Sequence, residues 1–176
     1  FPESDFRDDA MLCLGSAYEA SGTPALAVQS YQRLCSQYPD SDYADDALLW
    51  MGRAYALEGD RSAAIQTYES LIMEHSDSDL VDDALLWLAR VYEEQEEIEK
   101  ALEKTLAFLA LPAASATDAA DAHIAIGRLL LKRAERLRAQ NPDDPDVEKY
   151  QTEGRNILLG LLDEQELTLT EPLRFE

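Results

Sequence analysis

Three stretches of this chain repeat one another without a gap. FPESDFRDDAMLCLG begins at Phe1, YPDSDYADDALLWMG at Tyr38 and HSDSDLVDDALLWLA at His75, each 37 residues after the last. A fixed period of this size constrains the fold more than any local propensity does, because a unit that cannot bury its apolar face alone must stack on its neighbours. Within the second unit Ala47, Leu48, Met51, Ala54 and Tyr55, then Ala64, Ile65, Tyr68, Leu71 and Ile72, recur at helical spacing. Each unit is therefore two amphipathic helices. Gly22 and Gly59 separate the pairs, where glycine takes a left-handed conformation cheaply. The third unit has Glu96-Glu97 at that point, which predicts a different or strained turn. Ser41, Asp42, Ser78 and Asp79 precede first helices that open on acid pairs, which suits capping and the helix dipole.

This spacing puts first helices near 5–21, 42–58 and 79–95, and second helices near 24–37, 61–75 and 98–109. The repeats then span 1–37, 38–74 and 75–111. After the loop PAASATD the pattern changes, and a long helix near 118–140 pairs with one near 146–164. Residues 112–164 read as a divergent fourth pair closing the array, and 165–176 as an irregular tail.

The repeat units match the signature of the tetratricopeptide repeat, W-x2-L-G-x2-Y, then A-x3-F, then P. The first has Met11, Leu14-Gly15, Tyr18, Ala27, Tyr31 and Pro39, and the second has Leu48, Met51-Gly52, Tyr55, Ala64 and Tyr68 with Ser76 for the proline. The third keeps Leu85, Leu88 and Tyr92 but has Ala89 for glycine and Thr105 for the aromatic; the fourth retains little beyond Ile126-Gly127. The chain thus resembles the tetratricopeptide repeat family over about residues 1–111. Its long period and the phrase YPDSDYADDALLWMG resemble bacterial envelope members: the repeat domains of Tol-Pal-associated periplasmic cell-division coordinators and, less closely, of the lipoproteins of outer-membrane β-barrel assembly machines. The resemblance implies an all-α, right-handed superhelical solenoid of stacked antiparallel helix pairs. It implies also a non-catalytic scaffold that binds a protein or peptide partner, in the periplasm or at the outer-membrane periphery, with the cytoplasm as the alternative compartment.

In such arrays the first helices present a groove through the second, fifth, sixth and ninth positions of each repeat. Carried onto this chain, those positions hold Asp9, Asp46 and Asp83; Leu12, Leu49 and Leu86; Cys13, Trp50 and Trp87; and Ser16, Arg53 and Arg90. Arg128 continues the ninth position, with Lys132 and Arg136 one and two turns on. The expected partner-binding set is Leu49, Trp50, Arg53, Leu86, Trp87, Arg90, Arg128 and Lys132. A leucine and tryptophan floor with a ladder of arginines suits a segment with apolar anchors and some carboxylates. The alternative is that the tryptophans pack between helices and the arginines pair with Asp46 and Asp83.

Charge narrows the partners. Thirty-six Asp and Glu against fifteen Lys and Arg give a net charge of −21, which repels nucleic acid and anionic lipid. The longest apolar run, LAFLALPAA, is far short of the ~20 residues that span a bilayer. The chain opens on Phe1 and shows no secretory leader, so it reads as a fragment whose compartment the sequence leaves open. No catalytic, metal or cofactor motif is present, and no small-molecule substrate or cofactor is expected. DSDYADD and DSDLVDD lack the glycine and distal glutamate of a calcium loop. His123 is expected to face the core at the place of Met11, Leu48 and Leu85, and His75 to sit at a helix C-terminus. Cys13 and Cys35 read as two separately buried thiols, with a disulfide between antiparallel helices as the alternative. The cations of 128–138 read as intramolecular counter-charge rather than a docking patch. Self-association through an exposed terminal repeat is the alternative role.

Overall fold

The computed structural model describes residues 6–112 and 116–170, with side chains over 6–112 and 117–162. Eight helices, and no strand, occur among the described residues: α1 (Arg7–Ala20), α2 (Pro24–Gln37), α3 (Ala44–Glu58), α4 (Arg61–Glu74), α5 (Val81–Glu94), α6 (Ile98–Leu109), α7 (Ala116–Gln140) and α8 (Pro145–Thr170). The fold is an all-α helical repeat. α8 overruns the expected irregular tail by six residues, since no proline interrupts the chain before Pro172. The rest of that tail, 171–176, and part of the preceding loop, 113–115, lie outside the described residues.

Two compact units divide the chain, Phe1–Gln95 with α1 to α5 and Glu96–Glu176 with α6 to α8. In the first, α1 packs on α2 and α3 on α4, while α3 also packs on α2 and α5 on α4. The first helices α1, α3 and α5 are neighbours. Ala27, Val28, Tyr31 and Leu34 of α2 bury against Ala47, Met51 and Ala54 of α3. The motif glycines explain how close each hairpin is. A Cβ at Gly15 would lie 2.3 Å from the Tyr31 ring, and one at Gly52 2.5 Å from that of Tyr68. Both tyrosines are fully buried, so the missing side chain of one helix is the space that the aromatic of the other fills.

The turns after α1, α3 and α5 all use the left-handed region. Gly22 has φ 74°, Gly59 φ 83° and Glu96 φ 60°. The turn at Glu96 is therefore not different in kind, but it asks of a glutamate what the earlier turns ask of glycine. Asp60 caps α4 by accepting the Ala63 amide at 3.0 Å. The expected caps of α3 and α5 are absent: the N-cap residues are Tyr43 and Leu80, and neither makes a side-chain cap. Instead, the first acid of each pair serves the first turn, with Asp8, Asp45 and Asp82 accepting the next residue's amide at 2.9, 2.9 and 2.7 Å.

The serines tie one repeat to the next. Ser41 Oγ donates to Asp8 at 2.6 Å and accepts the Tyr43 amide, while Ser78 Oγ donates to Asp45 at 2.6 Å and accepts the Leu80 amide. A second tie recurs at the same period: Gln32 donates to the Tyr55 hydroxyl, and the Tyr92 hydroxyl donates to Glu69. The Ser41 bond holds the Asp8 carboxyl below its usual value.

In the second unit α7 packs on α6 and on α8. Its buried stripe includes Ala122, Ile126, Leu129, Leu130 and Ala134. His123 is exposed, contrary to the core-facing expectation, with its Nδ1 2.6 Å from the Ala119 carbonyl. Ala122 beside it is buried in the place of Ala84, and Ile126 and Gly127 in the places of Leu88 and Ala89, so the register holds and His123 departs from it.

Candidate functional site

One face of each first helix is built by i to i+3 and i to i+4 spacing. On α3 it runs Asp46, Trp50, Arg53, and on α5 Asp83, Trp87, Arg90, Glu94. With α1 these helices wall an open cavity of about 690 Å³, lined among others by Glu19, Trp50, Arg53, Trp87, Arg90 and Glu94. Both tryptophans are half-buried walls of the cavity, and Trp50 also packs against the core of α2 and α3. They are the chain's only tryptophans.

The arginines of this site are not equivalent. Arg53 Nη2 bonds the Glu19 carboxylate from across the repeat junction, and its guanidinium lies 4.3 Å from the Trp50 ring centroid. The Glu19 side chain is 6% exposed and that of Arg53 34%. Adding 37 to Glu19 gives Ala56, so the next repeat has no such acid to offer. Arg90 accordingly sits 5.7 Å from Trp87, 68% exposed, with only a 3.9 Å approach to Glu94 on its own helix. Arg61 reaches the same Glu94 at 3.4 Å. The acids that Arg53 and Arg90 approach, Glu19 and Glu94, come from the C-terminal ends of the first helices.

Polar atoms without partners gather around the Arg53–Glu19 pair. Glu19 Oε1, Arg53 Nε and the Tyr68 hydroxyl are all buried and unbonded. Burial drives the Tyr68 phenol far above its ordinary value and raises that of Tyr31, whose hydroxyl lies 3.5 Å from Ser16 Oγ. Asp46 is raised too, by burial first and then by Asp45 and Asp79.

The remaining expected residues divide. Leu49, 2% exposed, is a core residue beneath the cavity, and Leu86 is half-buried. Arg128 and Lys132 lie exposed on α7 in the second unit and do not line the cavity. Their neighbours supply counter-charge there: Arg133 pairs with Glu99 at 3.6 Å and stacks on Tyr150, and Arg136 donates to the Glu96 carbonyl. Cys13 and Cys35 are free thiols, so no disulfide joins α1 and α2. Cys13, in the tryptophan's place on α1, is exposed rather than buried, and Asp9 raises its thiol. Glu19 was missed from sequence. Its sign is position alone, one turn beyond the ninth residue of a repeat and facing the arginine of the next.

Among the described residues no cluster could hold a metal, and no helix is long and apolar enough to cross a membrane. A model of the tetratricopeptide repeat-like domain matches residues 15–128. Two crystal structures of MamA superpose with TM-scores of 0.69 and 0.64 at 19% and 20% identity, covering 96% and 94% of this chain and 79% and 84% of theirs. A tetratricopeptide repeat protein from Parabacteroides merdae follows at 0.63 and 17% identity, covering 91% of this chain and 67% of that one. No curated protein matches the sequence significantly.

Proposed function

We propose that this chain, which belongs to the tetratricopeptide repeat-like family, is a protein-interaction scaffold that holds an extended partner segment against α1, α3 and α5. The cavity walled by both tryptophans and both arginines carries this reading. Tryptophan and arginine are the side chains that most often dominate binding energy, and here they are placed at the same positions of successive repeats. Recognition, not catalysis, is the role. A bacterial envelope complex is its setting in this proposal, on the strength of the long period and the YPDSDYADDALLWMG phrase shared with envelope scaffolds.

A photo-crosslinking residue placed at exposed Leu57, which lines the cavity, should capture a partner that the same residue at exposed Met73 on α4 does not. Equal capture at both sites, or capture at Met73 alone, overturns the groove reading.

Self-association is the second reading, and α1 favours it. Ala10, Leu14 and Ala17 are exposed, while their equivalents Ala47, Met51 and Ala54, and Ala84, Leu88 and Val91, are buried. Sedimentation over a wide concentration range should then show a dimer that Leu14→Glu abolishes; a monomer throughout removes this reading.

A further inference from the structure

The two arginines of the cavity differ in what they leave for a ligand. Arg53 is committed: its Nη2 bonds the buried Glu19 carboxylate, and its guanidinium lies over the Trp50 ring. Arg90, in the same place one repeat on, is 68% exposed and makes no hydrogen bond to any described residue. Its ionic neighbour is Glu94, 3.9 Å away and outside hydrogen-bonding distance, while Arg61 approaches the same carboxylate more closely, at 3.4 Å. Two guanidiniums thus share one carboxylate, and the more exposed of them, Arg90, is the one that lines the cavity. An exposed ion pair at that distance contributes little, and it leaves the fork of N–H donors on Arg90 open to a better placed oxyanion. Beside Arg90 the lining is apolar, with Trp50, Leu57, Trp87 and Val91.

We infer that the cavity takes an apolar side chain against Trp87 together with one carboxylate, from an aspartate or glutamate of the same extended segment, which the Arg90 guanidinium grips. This rests on the groove reading above and gives it a chemical class. It also narrows the row of carboxylates that a ladder of arginines implies to a single one, because Arg53 has its acid from within the chain. The spacing fits. Side chains two residues apart in an extended segment leave the same face about 6.7 Å from each other, and the Arg90 guanidinium stands 5.7 Å from the Trp87 ring centroid. An acid two residues from the apolar anchor therefore reaches Arg90 while the anchor stays on the ring. The cavity is open, so the segment runs on at both ends and the carboxylate belongs to a side chain rather than to a chain terminus. The net charge of −21 opposes an anionic segment at a distance, so the attraction has to come from contact. At about 0.15 M salt that field is screened beyond about 8 Å and the contact remains.

Three synthetic peptides of about twelve residues, a length suited to an extended segment, test this. Each carries one phenylalanine in a serine and glycine background, with aspartate, asparagine or lysine two residues to either side, so that both chain directions present the group. They are titrated into the full chain at about 0.15 M salt, and binding is followed by the emission of Trp50 and Trp87, the only tryptophans. The aspartate peptide should bind at least about fivefold tighter than the asparagine peptide, and the lysine peptide no tighter than the asparagine one. Arg90→Gln should bring the aspartate and asparagine peptides level. Glu94→Gln, which frees Arg90 from its internal neighbour, should widen the gap. Glu74→Gln removes the same charge from an exposed position on α4 outside the cavity and should leave the gap unchanged. Circular dichroism checks that each variant keeps its helicity. Equal affinity for aspartate and asparagine, a preference for lysine, an aspartate preference that survives Arg90→Gln, or a gap that Glu74→Gln widens as much as Glu94→Gln overturns the inference while the groove reading stands. No change in tryptophan emission with any peptide overturns the groove reading itself.

Discussion

Single residues set the backbone of the turns between helices here, and the turn after α5 is the one under strain. Gly22 and Gly59 adopt positive φ without a Cβ to obstruct it, whereas Glu96 does so at φ 60° with one. A left-handed non-glycine residue costs on the order of 1 kcal/mol, part of which glycine gives back through its freer unfolded chain. Glu96→Gly should therefore stabilise the protein by about 0.5–1 kcal/mol in urea denaturation. The Glu96 carbonyl keeps its bond from Arg136 in that variant, so loss of stability would mean that the glutamate side chain does something more than fill the turn. The turn was legible as an anomaly because Glu96 stands where the repeat demands glycine. Its outcome was not, since periodicity alone does not say whether the backbone or the residue yields.

At the scale of the helix, what matters is which neighbour a face meets. Leu14 and Leu88 occupy the same position of their repeats, yet Leu14 is 46% exposed and Leu88 is completely buried. Leu88→Ala should cost about 2–5 kcal/mol through lost burial and the cavity left behind. Leu14→Ala should cost within about 0.5 kcal/mol, the usual range for a surface site. Comparable losses for the two, measured by thermal denaturation, would show that α1 is covered in solution. Helix limits were readable to within a few residues because the period marks them three times and the turn glycines Gly22 and Gly59 twice. Contacts between repeats were less so. The capping role expected of Ser41 and Ser78 fails because each serine turns back to the acid of the preceding first helix. Arg53 finds Glu19 rather than an aspartate because the pair is set by how α1 and α3 lie side by side, which no single-repeat pattern encodes.

For the whole molecule, fold class and architecture were available from three aligned phrases, and the tryptophan and arginine rows from their registers. The fourth pair was readable as helices and in register through Gly127, with Ile126, Leu129 and Leu130 buried where Leu88, Val91 and Tyr92 are, and His123 departs from it by lying exposed in the place of buried Leu85. The two hydrogen-bonded ties described between repeats, Ser41 with Asp8 and Ser78 with Asp45, then Gln32 with Tyr55 and Glu69 with Tyr92, recur at the 37-residue step. These ties are the same at both joints, although the Arg53–Glu19 pair of the first has no counterpart at the second. A chain with interchangeable joints can lengthen or shorten by whole repeats without inventing a new contact, whereas a gain or loss of a few residues inside a repeat puts every tie beyond it out of phase. Variation in the number of repeats is thus cheap for this architecture, and variation in their length is not.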